Sequence, residues 1–359
     1  MQGDPALNTQ DAGRVRPMRG VRRPTSMRVA WVLLLLLSPG LVAQKRPKDN
    51  LAGYDKSARA TVLHTAIVYV GPDDTSQKVA EVTAGHELVV VAHNGPWVKV
   101  FANTDTPDQD DPNAAPEFES DDKPVPASGW IKDKGIVTPQ TANGDAILFG
   151  AAANFEDLAE RPHAPKLAAE GAHLLYRRVV EYFPASQLAG DAAWRSADIR
   201  WQLDKAANST LPSAKEQEAY LRPQLYEGDL KRVGKLYPGS KWAALAAYDL
   251  IDNKLCGDWQ GLPKCPEMEA GFYLKYAEQW NESPKAAEAV YNAVYREGVL
   301  VTMYQVSDNR KRADAAAAKT QALAEDMHVR FPASDFTRRA ESIAFRVKQG
   351  LSIYGNDRE

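Results

Sequence analysis

The phrase Phe-Pro-Ala-Ser constrains the fold of this chain most, because it occurs twice, at 183–186 and at 331–334. An apolar stretch with helical spacing precedes each copy, and small residues with the same spacing follow the first. Proline cannot continue a helix, whereas serine is a good N-cap. The phrase therefore predicts a helix end, a tight turn and a helix start. In the first copy, Pro184 ends one helix and Ser186 caps the next.

The phrase returns in looser form between the two copies. The chain reads "KLYPGSKWAALAAYDL" at 235–250 and "QWNESPKAAEAVYNAVY" at 279–295. Successive turn prolines are 46 to 54 residues apart, at Pro184, Pro238, Pro284 and Pro332. A helical hairpin that recurs at such intervals is typical of an α-solenoid. The sequence therefore predicts an all-α helical-hairpin solenoid over residues 159–350, followed by a tail over 351–359.

These repeats resemble tetratricopeptide-like (TPR-like) units of bacterial envelope proteins, over residues 164–348. They are longer than the usual 34 residues of that repeat, which implies longer helices or inserted loops. The resemblance implies that the helical part binds a protein or peptide partner. Aromatic residues are numerous in this half of the chain. We expect most of them in the core between helices, and some along a concave groove.

The pattern is different before residue 140. Short β-branched stretches alternate from Ala58, and Asn94-Gly95 separates two runs rich in valine, which is a strong hairpin signal. The segment "GWIKDKGIV" at 129–137 adds a last strand. Several short strands within about 80 residues indicate a small β-barrel, so we predict a barrel over 58–140 and a linker over 141–158.

The order of these strand residues resembles a bacterial SH3-like (SH3b) domain over residues 60–137. The matching residues are Val68, Tyr69, Gly71, Pro72, Lys78, Val79, Ala80, Val82, Gly85, Leu88, Val90, Val91, Trp97, Val98, Lys99, Val100, Gly129, Trp130 and Ile131. The resemblance implies ligands from the cell wall or from proteins, bound by aromatic residues on one face. The candidate ligand-binding residues are Tyr69, Trp97 and Trp130. The other interpretation, which we prefer from the sequence alone, is that Trp97 and Trp130 only pack the barrel.

The barrel departs from this family at residues 102–128, an insert rich in Asp, Glu and Pro. We expect a mobile surface loop there. Asp105, Asp108, Asp110 and Asp111 lie close enough in sequence to suggest calcium. No glycine stands where a tight ligand loop needs one, and no spaced bidentate glutamate follows, so a solvated acidic loop is the preferred interpretation.

The N-terminal region predicts export. Arg28 precedes an apolar run over 29–37, and Ala43 offers a small residue for cleavage, as in a secretory signal peptide over 1–43. The run is short for a membrane span, so no permanent span is expected after signal removal. Residues 1–26 are interpreted either as an over-extended start or as a long charged n-region. Residues 44–57 read as a linker.

The two cysteines agree with an exported chain. Cys256 and Cys265 are close in sequence, which favours a disulfide over a metal site or a nucleophile. Closing so short a loop stabilises a fold by roughly 2–3 kcal/mol in the chain-entropy model.

The sequence shows no recognisable catalytic motif. His86-Glu87 lacks the second histidine of a zinc protease, and no phosphate-binding loop or Gly-x-Ser-x-Gly elbow occurs. We therefore predict no catalytic residue, no metal and no cofactor. The net charge of -3 gives no support for nucleic acid as a partner. The expected function is a non-catalytic binding or scaffold protein of the bacterial cell envelope, periplasmic or extracellular. The alternatives are an accessory or catalytic subunit of wall hydrolysis and a spacer without a ligand.

Overall fold

A computed structural model describes residues 58–105 and 127–353. The predicted signal peptide, the linker 44–57 and most of the acidic insert lie outside the described residues. No helix in the described part of the chain is long and apolar enough to cross a membrane. Within that part the fold is mixed, a curled antiparallel half-barrel sheet of seven strands together with nine α-helices.

The sheet is built from short strands whose alternate residues turn inward. The strands are β1 (Arg59–Val62), β2 (Ala66–Tyr69), β3 (Lys78–Val82), β4 (Glu87–Asn94), β5 (Trp97–Ala102), β6 (Ala127–Lys132) and β7 (Ile136–Val137). They follow the order β3-β2-β6-β5-β4-β1-β7. The predicted Asn94-Gly95 turn joins β4 to β5, and Asn94 pairs with Trp97 across it. Val68, Val98 and Ile131 are fully buried in the core that the sheet encloses.

The helices begin directly after the sheet. They are α1 (Gly144–Glu160), α2 (Ala168–Tyr182), α3 (Ala189–Ser209), α4 (Gly228–Leu236), α5 (Lys241–Asp249), α6 (Lys264–Gln279), α7 (Ala286–Val306), α8 (Arg310–Arg330) and α9 (Asp335–Lys348). The prediction of a linker over 141–158 is wrong, because α1 occupies that segment. Its Leu148 and Ala152 are fully buried against α2 and the edge of the sheet.

The four predicted turns all lie between two helices and share one geometry. An aromatic residue ends the first helix, and a serine three positions later donates its backbone N–H to the aromatic carbonyl oxygen, at 2.9 to 3.2 Å. The backbone of the aromatic residue is nearly the same each time, with φ between -122° and -131° and ψ between 50° and 56°. The pairs are Phe183 with Ser186, Tyr237 with Ser240, Trp280 with Ser283, and Phe331 with Ser334.

The serine side chains of these turns differ in what they bind. Ser240 and Ser334 cap α5 and α9 by accepting backbone N–H groups. Ser186 is not the N-cap that the sequence predicted. Residues 186–188 first form a short turn, so that α3 begins only at Ala189. Ser186 instead donates to Asp145 of α1, at 2.6 Å, and so ties the first turn to the helix that replaces the linker.

A disulfide joins Cys256 and Cys265, the pair that the sequence indicated, with Cα atoms 6.0 Å apart. Glu269, which is 1% exposed, lies beside it on α6. Its carboxylate accepts from the backbone N–H of Cys256 at 2.8 Å and from Arg296 Nε of α7 at 2.7 Å. Because the buried charge is paired and hydrogen-bonded, it anchors the disulfide loop to the helices instead of destabilising them.

Asp249 ends α5 and is partly buried. Burial, together with the nearby carboxylate of Asp198, raises the pKa of Asp249 to about 7. The folded chain therefore holds a proton, between pH of about 4 and 7, that the unfolded chain has released. Stability from this group is present at low pH and is lost as pH rises through the pKa of the folded state.

We expect Asp249→Asn to remove this loss, since asparagine is neutral at every pH. Thermal unfolding of the variant should give a Tm roughly 2–8 °C above the wild type at pH 8, and a much smaller difference at pH 4. The exposed Asp314 offers a control, and Asp314→Asn should change Tm equally little at both pH values. A Tm difference for Asp249→Asn that is the same at pH 4 and pH 8 would contradict the assignment.

Candidate functional site

The aromatic residues that the sequence singled out lie on the outer face of the half-barrel. We call Tyr69, Trp97 and Trp130 the aromatic strip. Each follows or precedes a core residue by one position in its strand, and side chains in a strand alternate between faces. The alternation therefore turns Val68, Val98 and Ile131 inward and turns the strip outward. Neither tryptophan is part of the cluster that contains Val68, Val98 and Ile131, although Trp97 is itself buried.

Strand pairing brings the strip together. Tyr69 on β2 pairs with Trp130 on β6, and β6 pairs with β5, which carries Trp97. The rings of Tyr69 and Trp97 meet edge to face, with centroids 5.6 Å apart. Trp97 is only 7% exposed, whereas Tyr69 and Trp130 are half-buried. Trp97 therefore packs against Tyr69 as the buried member of the strip. The rings of Tyr69 and Trp130 offer contact surface to a ligand.

The close approach of β2 and β6 depends on Gly129. A Cβ atom at this position would lie 2.4 Å from the carbonyl oxygen of Tyr69. Any other residue would push the strands apart and separate Tyr69 from Trp130. This explains the Gly129-Trp130 dipeptide in physical terms, since the glycine sets the spacing that the tryptophan needs.

Lysines frame the strip. Lys132 Nζ lies 5.6 Å from the centre of the Trp97 ring and 2.8 Å from an Asp74 carboxylate oxygen. Lys99 is exposed and pairs across the strands with Trp130. An apolar aromatic surface with ammonium groups beside it suits a ligand that stacks or packs while presenting carboxylates. The strip therefore has the composition of a binding surface.

A second feature, which the sequence analysis missed, joins the sheet to the helices. The buried Arg178 of α2 donates through Nε to the carbonyl oxygen of Gly85 in the β3–β4 turn, at 3.0 Å. Its guanidinium group also contacts Asp105 and Glu181, and Glu87 lies 4.0 Å away. Gly85 has φ of +85°, and a Cβ atom there would lie 2.5 Å from that of Leu174 in α2. We call this group of residues the junction.

Glu87 is buried at the junction, whereas the side chains of Asp105 and Glu181 keep 15% and 25% of their surface exposed. Burial opposes the ionisation of Asp105, but Arg178 and His86 hold the pKa of that carboxyl below its ordinary value. Burial likewise opposes the ionisation of Glu181, and Arg178 with Arg177 lowers its pKa to about 2. Burial raises the pKa of Glu87, although Arg178 and Arg59 oppose the change. One arginine thus compensates negative charge from the sheet and from its own helix.

Asp105 also answers part of the calcium question. Its carboxylate accepts from the backbone N–H of Glu87 at 3.0 Å and lies 2.8 Å from His86 Nδ1. It is therefore engaged at the junction, while the other three aspartates of that group lie outside the described residues. No group of three histidine, cysteine, aspartate or glutamate side chains in the described ranges is arranged to hold a metal ion.

One signal in the sequence pointed to the junction. Arg178 lies three positions after Leu175, at the edge of the apolar face of the predicted helix. A charged residue on such a face needs a partner. The partner Asp105 is 73 positions away in sequence, within a segment that reads as a solvated loop.

No family profile and no curated protein matches the sequence. Among solved structures, the chain is similar to a "DHF79 filament" at 14% sequence identity, over 58% of this chain and 97% of that one, with a TM-score of 0.16. A TM-score this low carries no argument about fold or function.

We expect Arg178→Met to destabilise the fold by about 3–5 kcal/mol, because it leaves the partly buried Asp105 without its main ionic partner and removes a cation beside the buried Glu87. The neighbouring Arg177 bonds Glu181 from a more exposed position, so Arg177→Met should cost about 1 kcal/mol or less. Denaturant unfolding, followed by tryptophan fluorescence and by helical circular dichroism, measures both variants. Equal losses for the two variants would contradict the role given to Arg178.

Trp97→Ala should lower the unfolding free energy by roughly 3 kcal/mol, because the ring is buried between Tyr69 and Lys132. Trp130→Ala, at a half-buried ring, should cost clearly less. Thermal unfolding of the two variants checks the difference. If Trp97→Ala keeps the wild-type Tm, Trp97 is a surface anchor and the division of roles within the strip is wrong.

Proposed function

We propose that this chain is a non-catalytic binding or scaffold protein exported to the bacterial cell envelope. In this proposal an SH3-like barrel holds the cell wall through the aromatic strip, and a TPR-like array of helical hairpins holds a protein or peptide partner. The observation that carries the proposal is the aromatic strip itself, a lysine-framed surface on the outer face of the sheet.

Two observations support the fold assignments in this proposal. The short antiparallel strands curl around one apolar core, as expected of a small barrel. The four turns of aromatic residue and serine recur with one backbone geometry, as expected of a repeat. Export is supported by the apolar run over 29–37 and by the disulfide, which is typical of oxidising compartments.

The junction packs the sheet and the helices firmly against each other. Arg178 connects α2 to the sheet, and the apolar residues Ala84 and Val137 of the sheet region share a core with α1, α2 and α3. A partner on the helices and a wall ligand on the strip would therefore be held at a fixed separation. This is the property that a scaffold needs.

The test is sedimentation of the intact chain with purified peptidoglycan. We expect retention to fall tenfold or more in the double variant Tyr69→Ala and Trp130→Ala, since stacking rings supply most of the contact. Val91→Ala removes another exposed apolar side chain of the same sheet and should keep retention within about twofold of the wild type. Circular dichroism must show the same helix content for all variants.

Other outcomes separate the alternatives. Equal retention of the wild type and the double variant would reject the strip as the wall site. Release of soluble wall fragments during the incubation would favour a hydrolytic role instead. Absence of retention, together with no partner captured from an envelope extract, would leave a spacer and reject the proposal.

A further inference from the structure

A groove of about 610 Å³ runs between α6 and α8. Both helices pack against α7, which lies between them and supplies the buried Val290 to the floor. Leu274 and Ala277 of α6 line one side, and Leu323 of α8 with Phe331 lines the other. Leu274, Leu323 and Phe331 are only partly buried, so their apolar surface is open to a ligand.

Carboxylates border this apolar floor. Glu278 and Glu282 stand on the α6 side and Asp326 on the α8 side, with Arg330 as the one cationic side chain among the lining residues that the structure describes. Arg330 is already paired, with Nη1 2.9 Å from Asp326. The structure gives Glu278 and Glu282 no ion-pair partner within the described ranges. The rim therefore carries an excess of negative charge on its α6 side.

Arg330 shows how the groove holds a cation. Its guanidinium group contacts the Asp326 carboxylate and also lies 4.9 Å from the centre of the Phe331 ring. A carboxylate beside an aromatic face is a favourable place for an arginine or lysine. The opposite wall repeats the carboxylates without a cation, so it is the side on which a partner's cation would complete the arrangement.

We infer that this groove binds a peptide segment of a partner protein in which lysine or arginine residues flank an apolar anchor. The anchor would pack on Leu274, Leu323 and Phe331, and the cations would pair with Glu278 and Glu282. Opposite charge at the rim steers such a segment and rejects acidic ones. The inference rests on the proposed function, since it specifies the partner of the helical part, and it is independent of the aromatic strip.

The test is fluorescence anisotropy of the intact chain with synthetic peptides of one length. The first peptide combines leucine and lysine, the second replaces each lysine by glutamate, and the third replaces each leucine by serine. We expect binding of the first peptide only, with an affinity that falls as salt is added. Equal binding of the first and third peptides would overturn the inference, because charge alone would then be recognised.

The variant is Glu278→Lys with Glu282→Lys, which should weaken the leucine–lysine peptide tenfold or more. Glu160→Lys with Asp314→Lys makes the same change of net charge at exposed positions of α1 and α8 outside the lining residues, and should keep affinity within twofold. Circular dichroism shows whether both variants fold. Equal affinity of the two variants for the peptide would overturn the inference.

The same proteins separate this inference from the proposed function. If the first peptide does not bind while peptidoglycan still retains the chain through Tyr69 and Trp130, only the groove assignment fails. If the peptide binds through Glu278 and Glu282 but the wall does not retain the chain, the groove stands and the wall-binding function fails.

Discussion

The ion pairs of Arg178 are the interaction on which the rest of the described structure depends. A buried guanidinium group destabilises a fold unless its charge is paired and its N–H groups are hydrogen-bonded. Here the partners come from two parts of the chain. Asp105 and the carbonyl oxygen of Gly85 come from the sheet, whereas Glu181 comes from α2 itself. The sheet and the helices are therefore joined by the ion pairs of one residue. Separating them would leave the buried guanidinium group of Arg178 without its partners from the sheet.

Local features of the fold could be predicted from the sequence, because they depend on residues close together in the chain. Proline cannot continue a helix beyond its first turn, and Asn94-Gly95 suits a tight hairpin by itself. Helix α1 was missed because its apolar residues are spread around the helix and include many alanines, so no clear stripe marks it. The pairing of Arg178 with Asp105 was missed because the two residues are 73 positions apart in sequence, and only the folded chain brings them together.

The aromatic strip shows a similar division. The three residues were singled out through the resemblance to an SH3-like domain, which left open whether the tryptophans pack the barrel or contact a ligand. What the sequence did not contain was the order of strands in space. Only the register of β2, β6 and β5 brings Tyr69 over Trp97, and only that contact explains why Trp97 is buried while Trp130 remains half-exposed.

The four turns of aromatic residue and serine are uniform, whereas the connections between hairpins are not. The segments 210–227 and 250–263 carry short 3₁₀ helices or the disulfide, and 307–309 is a minimal link. Repeat length varies in the connections and in the helices, which have 9 residues in α4 and 21 in α7, whereas the turns keep a constant geometry. Insertions and deletions can accumulate in these connections without changing how the helices of a hairpin meet, so the array can lengthen or acquire new loops while its internal spacing stays fixed.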